Sequence, residues 1–417
     1  MKRRVAVDLS VLRDSRNLRL LAIGEVLSGF GSQAVLVAIP FQVYVLTRSA
    51  ALVGLLGLVE LVPIIVFSLL GGAIADRMER RKLMLIGQTA IVTSAASLAA
   101  ISIAGDPPVG LIFVFAGLLA AGATVDNVTR SAIVPALAGD RLRAALSITY
   151  GLHTMSAVIG PAIGGLMIAA FGVEAAYAGQ TVAFIVMMGI TLALPRLQPA
   201  PTDEEHLPIL RSIVEGLRFV RGNSALMGSF AIDLVAMTFG MPRALFAVLA
   251  LTVFDAGASG TGLLYASVSA GATVAALTTG WVEHARWLGR IVIGAVTVWG
   301  LAIAAAGFMP SLWPAAACLA IAGAADSISA VCRSIINQTV TPEHLRGRMS
   351  AIFMLVVTSG PRLGDLESGI AASLTTASVA VVSGGFACVV GVAVIVALFP
   401  ALARYDGRQV TVAGGVP

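Results

Sequence analysis

Apolar residues run along this chain in long unbroken stretches, and polar residues gather in short clusters between them. A helix crosses the hydrocarbon core of a bilayer with about 20 apolar residues. About twelve stretches of that kind are present, near 19–46, 50–75, 82–104, 109–135, 144–170, 174–195, 224–250, 258–282, 290–309, 312–336, 348–373 and 376–401. The runs are continuous rather than alternating, which predicts helices instead of a barrel. The expected fold is all-α and integral to the membrane, with twelve transmembrane helices in two six-helix bundles. Residues 1–195 make the first bundle, 196–222 a cytoplasmic linker and 223–417 the second.

The pattern also repeats. Arg130-Ser131 in the fourth stretch recurs as Arg333-Ser334 in the tenth, an offset of 203 residues. The same offset carries Leu142-Arg143 onto Leu345-Arg346 and Ser147 onto Ser350. An offset of 200 carries Gly160-Pro161-x-x-Gly164 onto Gly360-Pro361-x-x-Gly364. Two related apolar halves are the layout of a transporter that rocks one half against the other around a central site.

Composition strengthens this picture. Hydrophobic residues make up 58% of the chain and charged residues 12%, where a soluble domain carries about 25% charged residues. The 44 glycines fit close helix–helix contact in lipid. The net charge of +5 would suit a nucleic-acid partner, but its placement does not. Arginines and lysines cluster before the first stretch, in every second loop and after the last stretch, whereas the opposite loops hold only Arg48. The positive-inside rule then puts both termini in the cytoplasm and explains the basic balance without nucleic acid. Met1 to Arg19 lacks an apolar run with a small-residue cleavage site, so no cleaved signal peptide is expected. Cys318, Cys332 and Cys388 fall within apolar stretches and read as packing residues, not a disulfide or metal site.

The linker opens with prolines and the acidic run Asp203-Glu204-Glu205. It continues with apolar residues at helical spacing from Ile209 to Val220, an amphipathic helix for the inner membrane surface. No Walker loop, nucleophile–base set or metal-ligand spacing is present, so neither an enzyme nor a bound cofactor is expected. The expected partners are a small-molecule substrate, protons and the bilayer of the cytoplasmic membrane, with the chain acting as a monomer.

The loop after the second stretch reads Gly72-x-x-x-Asp76-Arg77-x-Glu79-Arg80-Arg81. A carboxylate beside a dense cationic turn can pair with a helix end in one conformation and release it in another. The fifth stretch reads Gly151-x8-Gly160-Pro161-x-x-Gly164-Gly165, a tightly packing helix that proline can bend. Both motifs resemble those of the major facilitator superfamily, the second in its exporters and antiporters. Asp8 to Leu12, Ala75 to Arg80, Pro135-Ala136-Leu137, Gly164-Gly165-Leu166, Glu215 to Phe219 and Thr341 to Arg348 resemble the branch that exports siderophores, macrolides and drugs. The resemblance implies a conformational latch at Gly72, Asp76, Arg77, Arg80 and Arg81. It also implies an antiporter motif at Gly151, Gly160, Pro161, Gly164 and Gly165, and proton-coupled export.

Ionisable groups at membrane depth are costly and therefore candidates for function. Proton coupling needs a carboxylate that is neutral when desolvated and ionised when wet. Glu25 and Asp126, with Arg130 as tuning cation, are the first choices; Asp126 and Arg130 lie four apart and can pair. Glu60, Asp326 and Arg333 are the further coupling candidates, the last two being seven apart on one face. A structural ion pair is the alternative for both couples. Asp233, Arg243, Arg362, Asp365, Tyr150 and Phe239 are the candidates for lining a substrate cavity, and His153 is either a proton shuttle or a packed neutral histidine. Arg130, Arg243, Arg333 and Arg362 together would draw an anion such as a catecholate, against a comparable number of carboxylates. The expected function is proton-driven export of a small amphiphilic molecule of siderophore type. The alternatives are multidrug or macrolide efflux, a lysophospholipid flippase and a non-transporting receptor.

Overall fold

The computed structural model describes residues 10–75, 78–195, 209–342 and 345–407. The run 1–9, the pair Asp76–Arg77 of the expected latch, most of the linker (196–208), the pair 343–344 and the run 408–417 lie outside the described residues. Among the described residues the regular structure is helical: sixteen α-helices and no strand.

The first half of the sequence holds α1 (Ser10–Asp14), α2 (Arg16–Thr47), α3 (Ala50–Ala75), α4 (Arg80–Ile103), α5 (Val109–Ala138), α6 (Leu142–Phe171) and α7 (Val173–Ala193). The second half holds α8 (Ile209–Gly222), α9 (Ser224–Phe239), α10 (Leu245–Thr252), α11 (Gly257–Thr278), α12 (Leu288–Phe308), α13 (Leu312–Val340), α14 (Arg346–Leu374), α15 (Ala377–Leu398) and α16 (Pro400–Ala403). By proximity the chain divides into two units. One comprises 1–48, 59–203 and 257–266, and the other 49–58, 204–256 and 267–417. The start of α3 thus belongs with the second unit and the start of α11 with the first.

The packing order inside each unit is the same. In the first, α2 packs on α6 and α7, and α4 packs on α5 and α7. In the second, α9 packs on α14 and α15, and α12 packs on α13 and α15. The first and third long helices of each half therefore meet the same relatives, which is the sequence repeat expressed in space.

Ten helices among the described residues are long and apolar enough to cross a membrane: α2 to α7, α11, α12, α13 and α15. Large apolar side chains stay on the outside, among them Leu277, Leu374 and Phe171, as lipid allows and water does not. The two remaining expected spans differ from a plain apolar helix for separate reasons. Residues 224–250 read as one stretch, but the helix stops at Phe239 and restarts at Leu245. Pro242 has no N–H to donate and biases Met241 away from helical backbone, which weakens the ladder just after Gly240. The other, α14, is continuous but carries Arg346, Arg348, Arg362, Asp365 and Glu367, which dilute its hydropathy.

Local signals set several ends. The Ser15 hydroxyl accepts from the Leu18 N–H to start α2, and the Asn223 side chain accepts from the Ala225 and Leu226 amides to start α9. Gly172 ends α6 at φ 84°, a conformation that a Cβ would penalise.

Candidate functional site

Each unit buries one arginine between two carboxylates. In the first unit Arg130 projects from α5. Its Nη2 lies 2.5 Å from Asp126 Oδ2, one turn back on the same helix. Its Nη1 lies 3.3 Å from Glu25 Oε2 on α2 and donates to the Ser28 hydroxyl at 3.4 Å. Asp126 has a second donor: the Gln88 side-chain amide of α4 reaches Oδ1 at 3.0 Å. Asp126, Arg130 and Gln88 are buried, and the Glu25 side chain is 12% exposed. Gly87 and Gly122 bring α4 and α5 close enough for this bond, since a Cβ on either would meet the other helix.

In the second unit Arg333 of α13 hydrogen-bonds Asp233 of α9, and its Nη2 lies 3.7 Å from Asp326 Oδ1. The Arg333 and Asp233 side chains are 4% and 2% exposed, while that of Asp326 is 33% exposed. Asp126–Arg130 and Asp326–Arg333 are thus brought together as their spacing predicts. Asp233, a candidate for lining the cavity, is the hydrogen-bonded partner of Arg333.

Both clusters carry two anionic groups and one cation, a formal charge of −1. One proton makes either neutral. In a medium that penalises net charge this is the chemistry such a site can perform: accept a proton when dry and release it when wet. Several buried atoms of the clusters have no hydrogen-bond partner: Glu25 Oε2, Gln88 Oε1, Arg130 Nε, Asp233 Oδ2 and Arg333 Nε.

A third charged contact joins the break between α9 and α10 to α14. Arg243 Nη2 donates to Asp365 Oδ2 at 3.0 Å, and the Ala244 amide donates to Asp365 Oδ1 at 3.0 Å. Arg243 therefore sits in the break, not within a helix. Gly54 and Gly57 of α3 lie against the backbone of α14 at Asp365 and Arg362. Arg362 Nη1 donates to the Thr358 carbonyl. Arg130, Arg243 and Arg333, all expected to draw an anion, are thus already engaged by carboxylates.

The glycine motif of α6 splits into two parts. A Cβ at Gly164 would meet the backbone of Ala34 on α2, and one at Gly165 would meet Ala258 and Gly262 at the start of α11. Gly160 lies against Gln33, and Pro161 is buried beside it. Gly151 has open space around it, so its place in the motif is not a packing contact. Of the expected latch, Gly72 lies in α3, and Arg80 and Arg81 donate to the Ala132 and Leu194 carbonyls. Glu60 is half-buried on α3. Tyr150 is 68% exposed, Phe239 and His153 are also exposed, and His153 is thus not a packed core histidine. Gln88, like Ser28, is a member of the first cluster that charge-based reading misses; its signal is a lone amide inside an apolar helix, next to Gly87.

The family description "Transmembrane secretion effector" matches residues 8–411. The chain is similar to the enterobactin exporter EntS of Shigella boydii serotype 4 (strain Sb227), with 29% identity over 396 residues and 94% of each chain covered. It is equally similar to that of Citrobacter koseri, with 29% identity over 94% of each chain. Among solved structures, the nucleoside transporter NupG superposes with a TM-score of 0.77 at 14% identity, over 92% of this chain and 99% of that one. A bacterial homologue of the human lysosomal transporter Spinster gives a TM-score of 0.71 at 16% identity, over 97% of this chain and 99% of that one.

Proposed function

Because the chain belongs to the transmembrane secretion effector family of the major facilitator superfamily, we propose that it exports a small amphiphilic molecule of siderophore type, driven by protons flowing inward. The observation that carries the coupling is the buried Glu25–Arg130–Asp126 cluster, one proton short of neutrality. The similarity to enterobactin exporters over 94% of the chain supports the cargo class. Asp326, Arg333 and Glu60 are the further coupling candidates.

In the proposed cycle, cargo enters from the cytoplasm or inner leaflet of the cytoplasmic membrane, with both chain termini on the cytoplasmic side. The two halves, residues 1–195 and 223–417, alternate in giving cargo access to each side, with Arg243, Asp233, Arg362, Asp365, Tyr150 and Phe239 as the candidates for contacting it. The latch of Gly72, Asp76, Arg77, Arg80 and Arg81 rearranges, cargo leaves outward, and a proton taken up from outside resets the protein. Glycine contacts such as Gly164 on Ala34 let α6 and α2 move as one packed pair. The protein works as a monomer in this scheme.

The test is uptake of labelled enterobactin and of a drug dye into inverted vesicles, with and without a proton gradient. Gradient-dependent movement of enterobactin, abolished by Asp126→Asn, is the expected result. Movement of the dye alone makes the protein a multidrug pump. Movement of neither puts lipid or another metabolite first.

A further inference from the structure

The short loop between α11 and α12 holds two arginines on one indole. The Arg286 and Arg290 guanidinium carbons stand over the Trp287 ring, 4.7 and 4.6 Å from its centroid. Each is fixed through Nε. Arg286 Nε donates to Asp406 Oδ2 at 2.8 Å, and Arg290 Nε donates to the Ala403 carbonyl at 3.3 Å. Both arginines are exposed, and their Nη groups donate to none of the described residues. Stacking and the Nε bonds hold the two guanidinium planes in place and leave unused the donors that suit phosphate oxygens. Among the described residues the two cations share one carboxylate, Asp406.

Anchoring the chain end does not require this arrangement. The first unit makes the same link one repeat earlier. Arg81 donates to the Leu194 carbonyl, and an offset of 209 residues carries Arg81 onto Arg290 and Leu194 onto Ala403. There the bond uses Nη1, and Met78 takes the position of Trp287. The second unit anchors through Nε and adds an aromatic platform, and the link itself needs neither. The position of the platform is also informative. Residues 283–287 alone separate the span ending at Val282 from the span starting at Leu288, which puts the platform at the level of the lipid headgroups. Trp281, in the last turn of the first of these spans, is 49% exposed, as suits an interfacial tryptophan. α12 starts beside the platform with no side-chain cap, which adds the positive end of its dipole.

We propose that Arg286, Trp287 and Arg290 form a binding site for the headgroup of an anionic phospholipid, in the leaflet that the C-terminal segment faces. The Nη groups of the two arginines take the phosphodiester oxygens, and the indole keeps both guanidinia in register for them. A lipid is the occupant, rather than a soluble anion, because the loop is too short to leave the membrane surface and tryptophans flank the cations. The same arginines hold Asp406 and Ala403, so a bound headgroup joins the start of α12 to the end of the chain. The assignment is independent of the cargo and of proton coupling.

The experiment is native mass spectrometry of the purified full-length protein in detergent supplemented with phosphatidylglycerol or with phosphatidylcholine. Wild-type protein should retain phosphatidylglycerol under conditions that strip phosphatidylcholine. Arg290→Gln should lower the retained fraction about tenfold, the effect of losing one hydrogen-bonded charge, and Trp287→Leu should lower it as well. Arg81→Gln, which removes the corresponding charge and carbonyl link from the first unit, should leave retention unchanged. Where Arg290→Gln does not fold, Arg290→Lys keeps the charge without the planar fork and should still weaken retention. Equal losses in Arg81→Gln and Arg290→Gln would reduce the effect to general surface charge and overturn the site. Wild-type retention in Trp287→Leu or in Arg290→Lys would overturn it too, since neither platform nor fork would then matter. Release of the lipid by inorganic phosphate alone would assign the arginines to a soluble anion and end the proposal.

Discussion

The two arginine clusters use the same ingredients and wire them in opposite ways. In the first unit the close partner of Arg130 is the acid of its own helix, Asp126, and the looser one, Glu25, comes from α2. In the second unit the hydrogen-bonded partner of Arg333 is Asp233 from α9, and the looser one, Asp326, sits on the arginine's own helix. Neutralising the looser acid therefore loosens two helices from each other in the first unit and leaves α9 tied to α13 in the second. A repeat that keeps its fourth-helix arginine can thus make one half responsive and the other stiff by exchanging which acid is close.

The largest effect that would break this contrast lies in the second unit. Asp233→Ala leaves the Arg333 guanidinium buried with only the distant Asp326, and removing one partner of a buried pair costs about 3–5 kcal/mol. Thermal unfolding in detergent should show a loss of that order; a loss under about 1 kcal/mol would mean the tie is not what stiffens α9 against α13. Next comes Gln88→Met, which removes a hydrogen bond to a charged group and should cost about 1.5–3 kcal/mol in the same assay.

Glu25→Gln sharpens the comparison because stability and function should separate. Arg130 keeps its closer partner Asp126 at 2.5 Å, so the stability loss should be smaller than that of Asp233→Ala, yet gradient-driven enterobactin efflux should fall to the level seen without a gradient. Equal loss of both would place Glu25 among the structural pairs. The smallest effect belongs to Asp326→Asn. Its side chain is 33% exposed and 3.7 Å from Arg333, so solvent screening should hold the stability change to about 0.5 kcal/mol or less. A larger loss in the melting assay would erase the asymmetry between close and loose acids.

How much of this could be read from the chain depended on whether the partners share a helix. Asp126 with Arg130 and Asp326 with Arg333 were legible because helical geometry alone stacks residues four and seven apart on one face. Glu25 and Asp233 were recognisable as costly acids, but not as partners of those arginines, since spacing does not say which helices touch. Gln88 was invisible to any search for charge. The break at residues 240–244 was hidden by an unbroken apolar run, although Met241-Pro242 marks the point where the ladder fails. Arg243 consequently read as lying within the seventh helix, whereas it sits in the break and donates to Asp365.

That break has a consequence for how the chain is made. The eight-residue helix α10 begins without a side-chain cap of its own, and an isolated helix that short is marginal. The Ala244 amide at its start is satisfied by Asp365, which lies 121 residues further on. At roughly 5–20 residues per second of synthesis, that acid leaves the ribosome about 6–24 s after Ala244 does. The seventh span must therefore wait half-finished in the bilayer until the eleventh arrives to complete it. Asp365 is in this sense a late-arriving keystone, and chains cut short before it should be the ones that quality-control proteases remove.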